Sequence, residues 1–365
     1  MLNHRNYTNR MPVVTMMICA AAISAAFGAD GSLAQAANGG ARDPLFLTAT
    51  NGPNNFLAVV NTRTRETDYV PTGGLGGVSG NAGGVAASGP LAAVVNFGSS
   101  NVTIFTRQGN AMQPTQTIKT ASQPVSVAFG HGHLVVLGQT TAESFAVYGD
   151  TVQMNSDGLV QLARADKSAG QIVTYDGGVV YTEKSGSVSW LGLSTNGFAG
   201  LSGPNNSIQL PAAPNNDTPF GMIGRGDNVY LAIAHSNLEA LVSNGQIVSM
   251  AAGPAPFRNA AGGLLHAPCW NALAGHFLYA ADSPGKQLLR YLVSDTNVFF
   301  DKPGAAALNG PPTDLAVAGA MLGVIDGGDG VTSNASLLDI DSEGELTLRF
   351  AVKIAGPING AAIMQ

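Results

Sequence analysis

Seven side chains in this chain could do chemistry: Glu183, Lys184, His235, Arg258, His266, Cys269 and Trp270. They stand out because only 11% of the 365 residues are Asp, Glu, Lys or Arg, far below the roughly 25% of an ordinary soluble domain. A carboxylate beside an imidazole can orient the ring and raise its basicity. Glu183 and His235 therefore read as an acid-base pair in which His235 removes a proton from water or from a substrate carbon. Arg258 would hold a substrate carboxylate, and Lys184, Lys286 and Arg225 are further cations for a developing oxyanion. Trp270 offers a flat apolar face to a ring-shaped ligand. Cys269 and His266 could form a thiolate and its base, but a lone cysteine in a packed strand more often serves as a small apolar filler. His131 and His133 bracket Gly132 with no third ligand, so no metal is expected. No glycine-rich phosphate loop, zinc spacing or serine elbow is present, so no cofactor is expected either.

The elements that must position these residues are strands. From Leu45 onward the chain is a series of short β-rich runs divided by Gly, Asn, Asp, Ser and Pro, without helical periodicity. One unit recurs: an apolar run, a polar turn, a second run. It appears over residues 45–60, 91–105, 134–147, 179–191, 229–241, 277–292 and 322–338. All but the first follow a short run opened by Gly84, Pro124, Ala169, Pro219, Pro268 or Pro312, and a seventh opening at Pro357 has no hairpin after it. Openings recur every 40 to 50 residues, the spacing of four-stranded blades around an axis. The chain is thus expected to be all-β, a seven-bladed β-propeller whose C-terminal strand completes the first blade. In such a ring the end of each second strand returns to the rim where the first strand began. That rim would collect Asn51, Asn96, Glu183, His235, Asp282 and Asp326 from second strands, and Ser126, Thr218, Cys269, Trp270, Asp314 and Asn359 from openings. Substrate-binding candidates are Trp270, Cys269, Thr218, Asn96, Asp282, Asp326 and Lys184, with the catalytic roles on Glu183, His235 and Arg258. For the Asn and Asp residues the competing role is to bond their own turns.

Val94-Val95-Asn96-Phe97-Gly98-Ser99-Ser100-Asn101-Val102 resembles the blade consensus of lactonase-family seven-bladed propellers, the group of 6-phosphogluconolactonase-like and carboxymuconate-cyclase-like proteins. The resemblance continues through Thr72-Gly73-Gly74 with Gly83-Gly84, Pro124-Val125-Ser126-Val127, Val180-Tyr181-Thr182-Glu183-Lys184, Thr218-Pro219-Phe220-Gly221 and Cys269-Trp270. In order and spacing these look like exported bacterial members of the family. The resemblance implies the propeller fold and lactone chemistry. It also carries a departure: phosphogluconolactonase-like members place an Arg-His pair in the opening strand of a late blade, where this chain has Pro268-Cys269-Trp270-Asn271.

Charge and the amino terminus narrow the setting. With 17 basic against 23 acidic residues and no basic run, the chain has no footprint for nucleic acid. Arg5 and Arg10 precede an uncharged stretch over residues 11–28, and Leu33-Ala34-Gln35-Ala36 has small residues at signal-peptidase spacing. Residues 1–36 are expected to be a cleaved signal peptide that takes Cys19 with it. Residues 37–44 then form a short linker and 45–365 the propeller. The mature protein is expected in the periplasm or outside the cell, with no stable membrane insertion. The expected partner is a small oxygenated ligand at the channel mouth, hydrolysed or cyclised as a lactone. The alternative is a non-enzymatic disc that binds a protein partner.

Overall fold

The computed structural model describes residues 42–193, 199–211, 217–327 and 331–365; the expected signal peptide and most of the linker lie outside them. Seven antiparallel sheets follow one another along the chain. Blade 1 joins Asn359–Met364 to Leu45–Ala49, Phe56–Asn61 and Thr67–Pro71, so the carboxyl-terminal strand is its innermost. Blades 2 to 7 open with Val85–Ser88, Pro124–Gly130, Ala169–Tyr175, Pro219–Arg225, Pro268–Ala274 and Pro312–Ala318. Blade 3 departs from four strands, because Thr141–Tyr148 pairs outward with two short pieces, Thr151–Val152 and Gly158–Gln161.

The local reasons are legible strand by strand. Proline at the head of a strand costs no ladder bond, since its missing N–H lies where pairing has not begun. Second strands are apolar throughout rather than alternating, because a neighbouring blade covers each face. Leu91–Asn96, Gly178–Glu183, Asn228–Ile233, Phe277–Asp282 and Met321–Asp326 are buried at every position. The outer strand Gln246–Ala252 alternates instead, with one face in water. Side chains from adjacent blades interlock: Phe46 and Val60 pack with Ile325, Leu337 and Phe350 across blades 1 and 7, and Tyr230 and Leu241 with Leu278, Leu289 and Tyr291 across blades 5 and 6.

Five of the seven opening strands share one irregularity. Pairing with the second strand shifts register just after the first residue in blades 3, 6 and 7, at Pro124/Ser126, Pro268/Trp270 and Pro312/Asp314. Blades 4 and 5 shift likewise, at Ala169/Ile172 and Pro219/Met222. A bulge re-aims the side chains beside it, and here it does so at the same rim in each of these blades.

Ring closure rests on Asn359–Met364 lying against Leu45–Ala49 in register from Leu45↔Met364 to Thr48↔Ala361. Removing residues 357–365 would uncover Leu45 and Leu47 and forfeit the burial of Ile358, Ala361, Ala362 and Met364. At about 1.5–3 kcal/mol for each large apolar side chain, that loss is a large part of the roughly 5–15 kcal/mol that holds a domain folded. The truncated chain should lose its cooperative thermal transition; a sharp melt within a few degrees of the full chain would show that the ring does not depend on this strand.

Candidate functional site

Residues 73–84 carry seven glycines and lead from blade 1 into blade 2 across the rim where the opening strands begin. Every blade holds this segment. Asn51 of blade 1 accepts from the Gly77 and Val78 amides at 2.7 and 3.0 Å and donates to the Val78 carbonyl. From blade 2, the Gly98 amide donates to the Leu75 and Gly76 carbonyls. The Val127 amide of blade 3 reaches the Gly83 carbonyl at 2.8 Å. In blade 4, Asn81 donates to the Ala169 carbonyl at 2.7 Å, and Lys184 Nζ donates to the Gly80 carbonyl at 2.7 Å. Ala82 packs with Phe220 of blade 5 and Trp270 of blade 6, and Trp270 Nε1 donates to the Asn81 carbonyl at 3.2 Å. Asp314 of blade 7 accepts from the Gly83 amide at 2.9 Å. Glycine is required where this contact is tightest: a Cβ on Gly76 would stand 2.4 Å from the Asn51 carbonyl carbon, and one on Gly84 2.1 Å from Asn359 Nδ2.

The chain itself therefore occupies the mouth where a ligand was expected. Trp270 is buried, edge-to-face with Phe220 at 5.1 Å between ring centres, so its indole face is packed inside the protein. Lys184 lies 5.6 Å from the Phe220 ring centre, and burial lowers its pKa.

Glu183 and His235 are not joined. Glu183 is fully buried, and its carboxylate accepts from the Arg164 amide at 3.1 Å and the Ala165 amide at 2.8 Å. Burial raises its pKa and those backbone bonds oppose the rise. It ties down the connection that precedes blade 4's own opening strand. Glu143 does the same for the Ala121 amide at 2.7 Å. His235 sits exposed in the 3-10 turn Ala234–Ser236, with Nδ1 at 2.9 Å from Thr218 Oγ1. Arg258 donates to the His235 carbonyl and to the Gly262 carbonyl, both at 3.0 Å. Thr218, His235 and Arg258 thus come together, with Glu183 engaged elsewhere. Asn96 is consumed by a buried network, accepting from Asn55 and Thr72 and donating to Asn101 and Thr103. Asp326 is buried and accepts from Asn334 at 2.7 Å.

The pair that the sequence reading left unmade is His266 with Asp282. Asp282 is fully buried at the end of its strand, and its Oδ2 lies 2.7 Å from His266 Nδ1; the His266 side chain is 22% exposed. Gln287 Nε2 donates to the same oxygen at 2.9 Å, while Oδ1 accepts from the Ala267 and Gly285 amides. His266 ends the loop that carries Arg258, and its amide donates to the Phe257 carbonyl. The blade 5–6 side of the rim therefore holds His235, Arg258 and His266 around one loop. In blades 4 and 6 the acid ending the second strand faces the connection before its own blade, which is how Asp282 meets His266. Burial, and then the nearby Asp282 and Glu239, push the Cys269 thiol up to about 12, which disfavours the thiolate that a nucleophile needs. Among the described residues no group of three or more His, Cys, Asp or Glu is placed to hold a metal.

No family model matches the sequence, and no curated protein matches it. Solved structures match the fold. A protein from Lactobacillus plantarum is 14% identical with a TM-score of 0.66, over 89% of this chain and 100% of that one. A structure provisionally named a 6-phosphogluconolactonase, from Bacteroides fragilis, is 14% identical with a TM-score of 0.66, over 89% and 99%. A second with that provisional name, from Bacteroides uniformis, is 13% identical with a TM-score of 0.63, over 88% and 100%. At such identities the likeness is one of fold alone, a seven-bladed propeller.

Behind this rim, Glu239 is fully buried and accepts from Asn271 at 2.9 Å. Desolvation lifts its pKa from the ordinary 4.5 to about 8. Between those values the unfolded chain has lost a proton that the folded chain keeps, so stability should fall as pH rises through that window and level off above it. Glu239→Gln should remove this component, gaining on the wild type by roughly a few kcal/mol between pH 5 and pH 8. Denaturant melts of both proteins across that range are the check, and parallel profiles would contradict it.

Proposed function

We propose that the protein binds a small oxygenated ligand on the blade 5–6 side of this rim and opens a lactone ring there. The observation that carries this reading is the His266–Asp282 pair, a partly exposed imidazole fixed by a buried carboxylate. With Asp282 accepting at Nδ1, that nitrogen carries the ring hydrogen and Nε2 keeps its lone pair for the solvent side. Nε2 takes a proton from water as the water oxygen attacks the lactone carbonyl. The ring C–O bond then breaks, and the leaving alkoxide takes the proton back from the imidazolium. Arg258 uses two of its N–H groups on the His235 and Gly262 carbonyls; its others are available to a substrate carboxylate or to the developing oxyanion. The resemblance of the fold to lactonase-like propellers supports the same class of reaction. The uncharged stretch over residues 11–28 and the small residues up to Ala36 support export, so the ligand would be met in the periplasm or outside the cell.

A second reading is a rigid binding disc without catalysis. It is favoured by the occupied channel mouth, and by the work Asp282 already does in holding the Ala267 and Gly285 amides.

A panel of five- and six-membered lactones, including sugar lactones, separates the two. Removing a general base costs about 10²–10⁴ in rate. His266→Ala should therefore lower turnover at least a hundredfold with its melting temperature kept, Asp282→Asn should lower turnover too, and His235→Ala should change it little. Equal turnover by His266→Ala and wild type would overturn the mechanism, and hydrolysis of none of the panel would leave the binding disc.

A further inference from the structure

The turn between the second and third strands of blade 1, residues 50–55, is longer than its counterparts 97–100, 184–186, 234–237 and 283–286. It forms one wall of a cavity of about 460 Å³. The other wall is Ala355 to Pro357, where the outer strand of blade 7 ends and the chain turns into the closing strand of blade 1. Phe56 and Tyr69 complete it. Phe56 stands opposite Pro71 and Tyr69 opposite Ala58 in the same ladder, so both rings lie on one face of the sheet. That face is the one whose Ala58 packs with blade 7. The cavity is therefore a cleft between blades 1 and 7, on the outer side of the rim.

Both walls are fixed by the chain's own bonds. The Thr50 amide donates to the Phe56 carbonyl at 2.9 Å, the Phe56 amide to Thr50 Oγ1 at 3.0 Å and the Asn51 amide to Asn55 Oδ1 at 2.8 Å. The Gly52 carbonyl accepts from the Gly76 amide at 2.8 Å. Opposite, the Gly356 amide donates to the Val331 carbonyl at 3.0 Å, and the Gly356 carbonyl accepts from Ser333 at 2.8 Å. The lining is apolar and uncommitted. Phe56 and Tyr69 join none of the apolar clusters that fill the space between blades, and no Asp, Glu, Lys, Arg or His lines the cleft. Among the described residues the Asn54 side-chain amide and the Tyr69 hydroxyl have no hydrogen-bond partner, and Thr50 Oγ1 accepts one bond while keeping its own hydrogen.

We propose that this cleft is a binding site for a neutral two-ring aromatic compound bearing a hydroxyl group. Phe56 and Tyr69 offer rings against which a flat ligand stacks offset or edge-on. With no cation in the walls, a ligand carboxylate would lose water and gain no partner, so the ligand is uncharged. Its hydroxyl meets the unused polar groups of Thr50, Asn54 and Tyr69. At about 30 Å³ for each water-sized group, the cavity of about 460 Å³ takes about fifteen heavy atoms, two rings with their oxygen substituents. A protein interface draws on roughly 20–30 residues a side, whereas nine line this cleft. The site shares no residue with the proposed lactone site, and neither depends on the other.

Titration calorimetry of the protein with 2-naphthol tests this. Saturable one-to-one binding is expected. 2-Naphthoate, which brings a charge, should bind roughly tenfold more weakly, and decahydro-2-naphthol, which keeps the hydroxyl but has no flat face, about fivefold more weakly. Tyr69→Ala should weaken 2-naphthol about fivefold, and Ala355→Asp, which sets a carboxylate in the apolar wall, roughly tenfold. Tyr69→Phe should cost about twofold, and His266→Ala should cost nothing. Tyr69 and Ala355 are both exposed, so these variants should melt as the wild type does, which thermal scans check. Absence of saturable 2-naphthol binding would overturn the proposal. So would either analogue binding as tightly as 2-naphthol, or unchanged 2-naphthol affinity in folded Tyr69→Ala and Ala355→Asp. A dimer in sedimentation that Tyr69→Ala dissolves would give the cleft to a second copy of the chain and overturn it as well.

Discussion

The antiparallel pairing of Asn359–Met364 with Leu45–Ala49 is the constraint on which the rest of the molecule depends. It turns a row of sheets into a ring, and a ring has what a row lacks: an axis on which seven opening strands converge. Closure also covers both faces of every second strand, which is why Leu91–Asn96 and Phe277–Asp282 are apolar along their length and end on a buried polar residue. That polar residue cannot remain unpaired in such surroundings. Backbone amides of the connection running in from the outer edge satisfy Glu183 and Asp282, and the side chains of Asn55, Thr72, Asn101 and Thr103 satisfy Asn96.

The placement of chemistry follows from how those buried groups are satisfied. The glycine segment takes polar or packing contacts from every blade and closes the axial mouth, and Lys184, Trp270 and Asp314 each direct a hydrogen bond to it. What remains accessible at this rim lies off the axis. There the loop carrying Arg258 and His266 rises between blades 5 and 6, and a buried Asp282 fixes a ring that solvent can still reach.

Fold and blade boundaries were written plainly, since their signals are local: prolines and small residues at openings, unbroken apolar runs, and a regular spacing. Pro124, Ala169, Pro219, Pro268 and Pro312 each begin their strands. The site was legible only in its residue types. Glu183 and His235 read as matching places in consecutive blades, but the residue of blade 5 that matches Glu183 is Ile233, with His235 two residues on in a turn, and the acid Glu183 reaches into its own blade's incoming connection, a direction no spacing reveals. His266 and Asp282 were both visible, and neither suggested the other without that direction. The glycines over residues 73–84 were read as part of a blade consensus. Their density also records close backbone approach, and what approaches whom depends on the whole ring.

Hydrogen exchange of residues 76–83 tests most directly whether the chain seals its own axis. Gly77 and Val78 donate to Asn51 and Gly83 to Asp314, so their amides should exchange as slowly as those of the buried second strands. Exchange within seconds, at the rate of a free loop, would contradict the account and return the channel mouth to any ligand that could enter it.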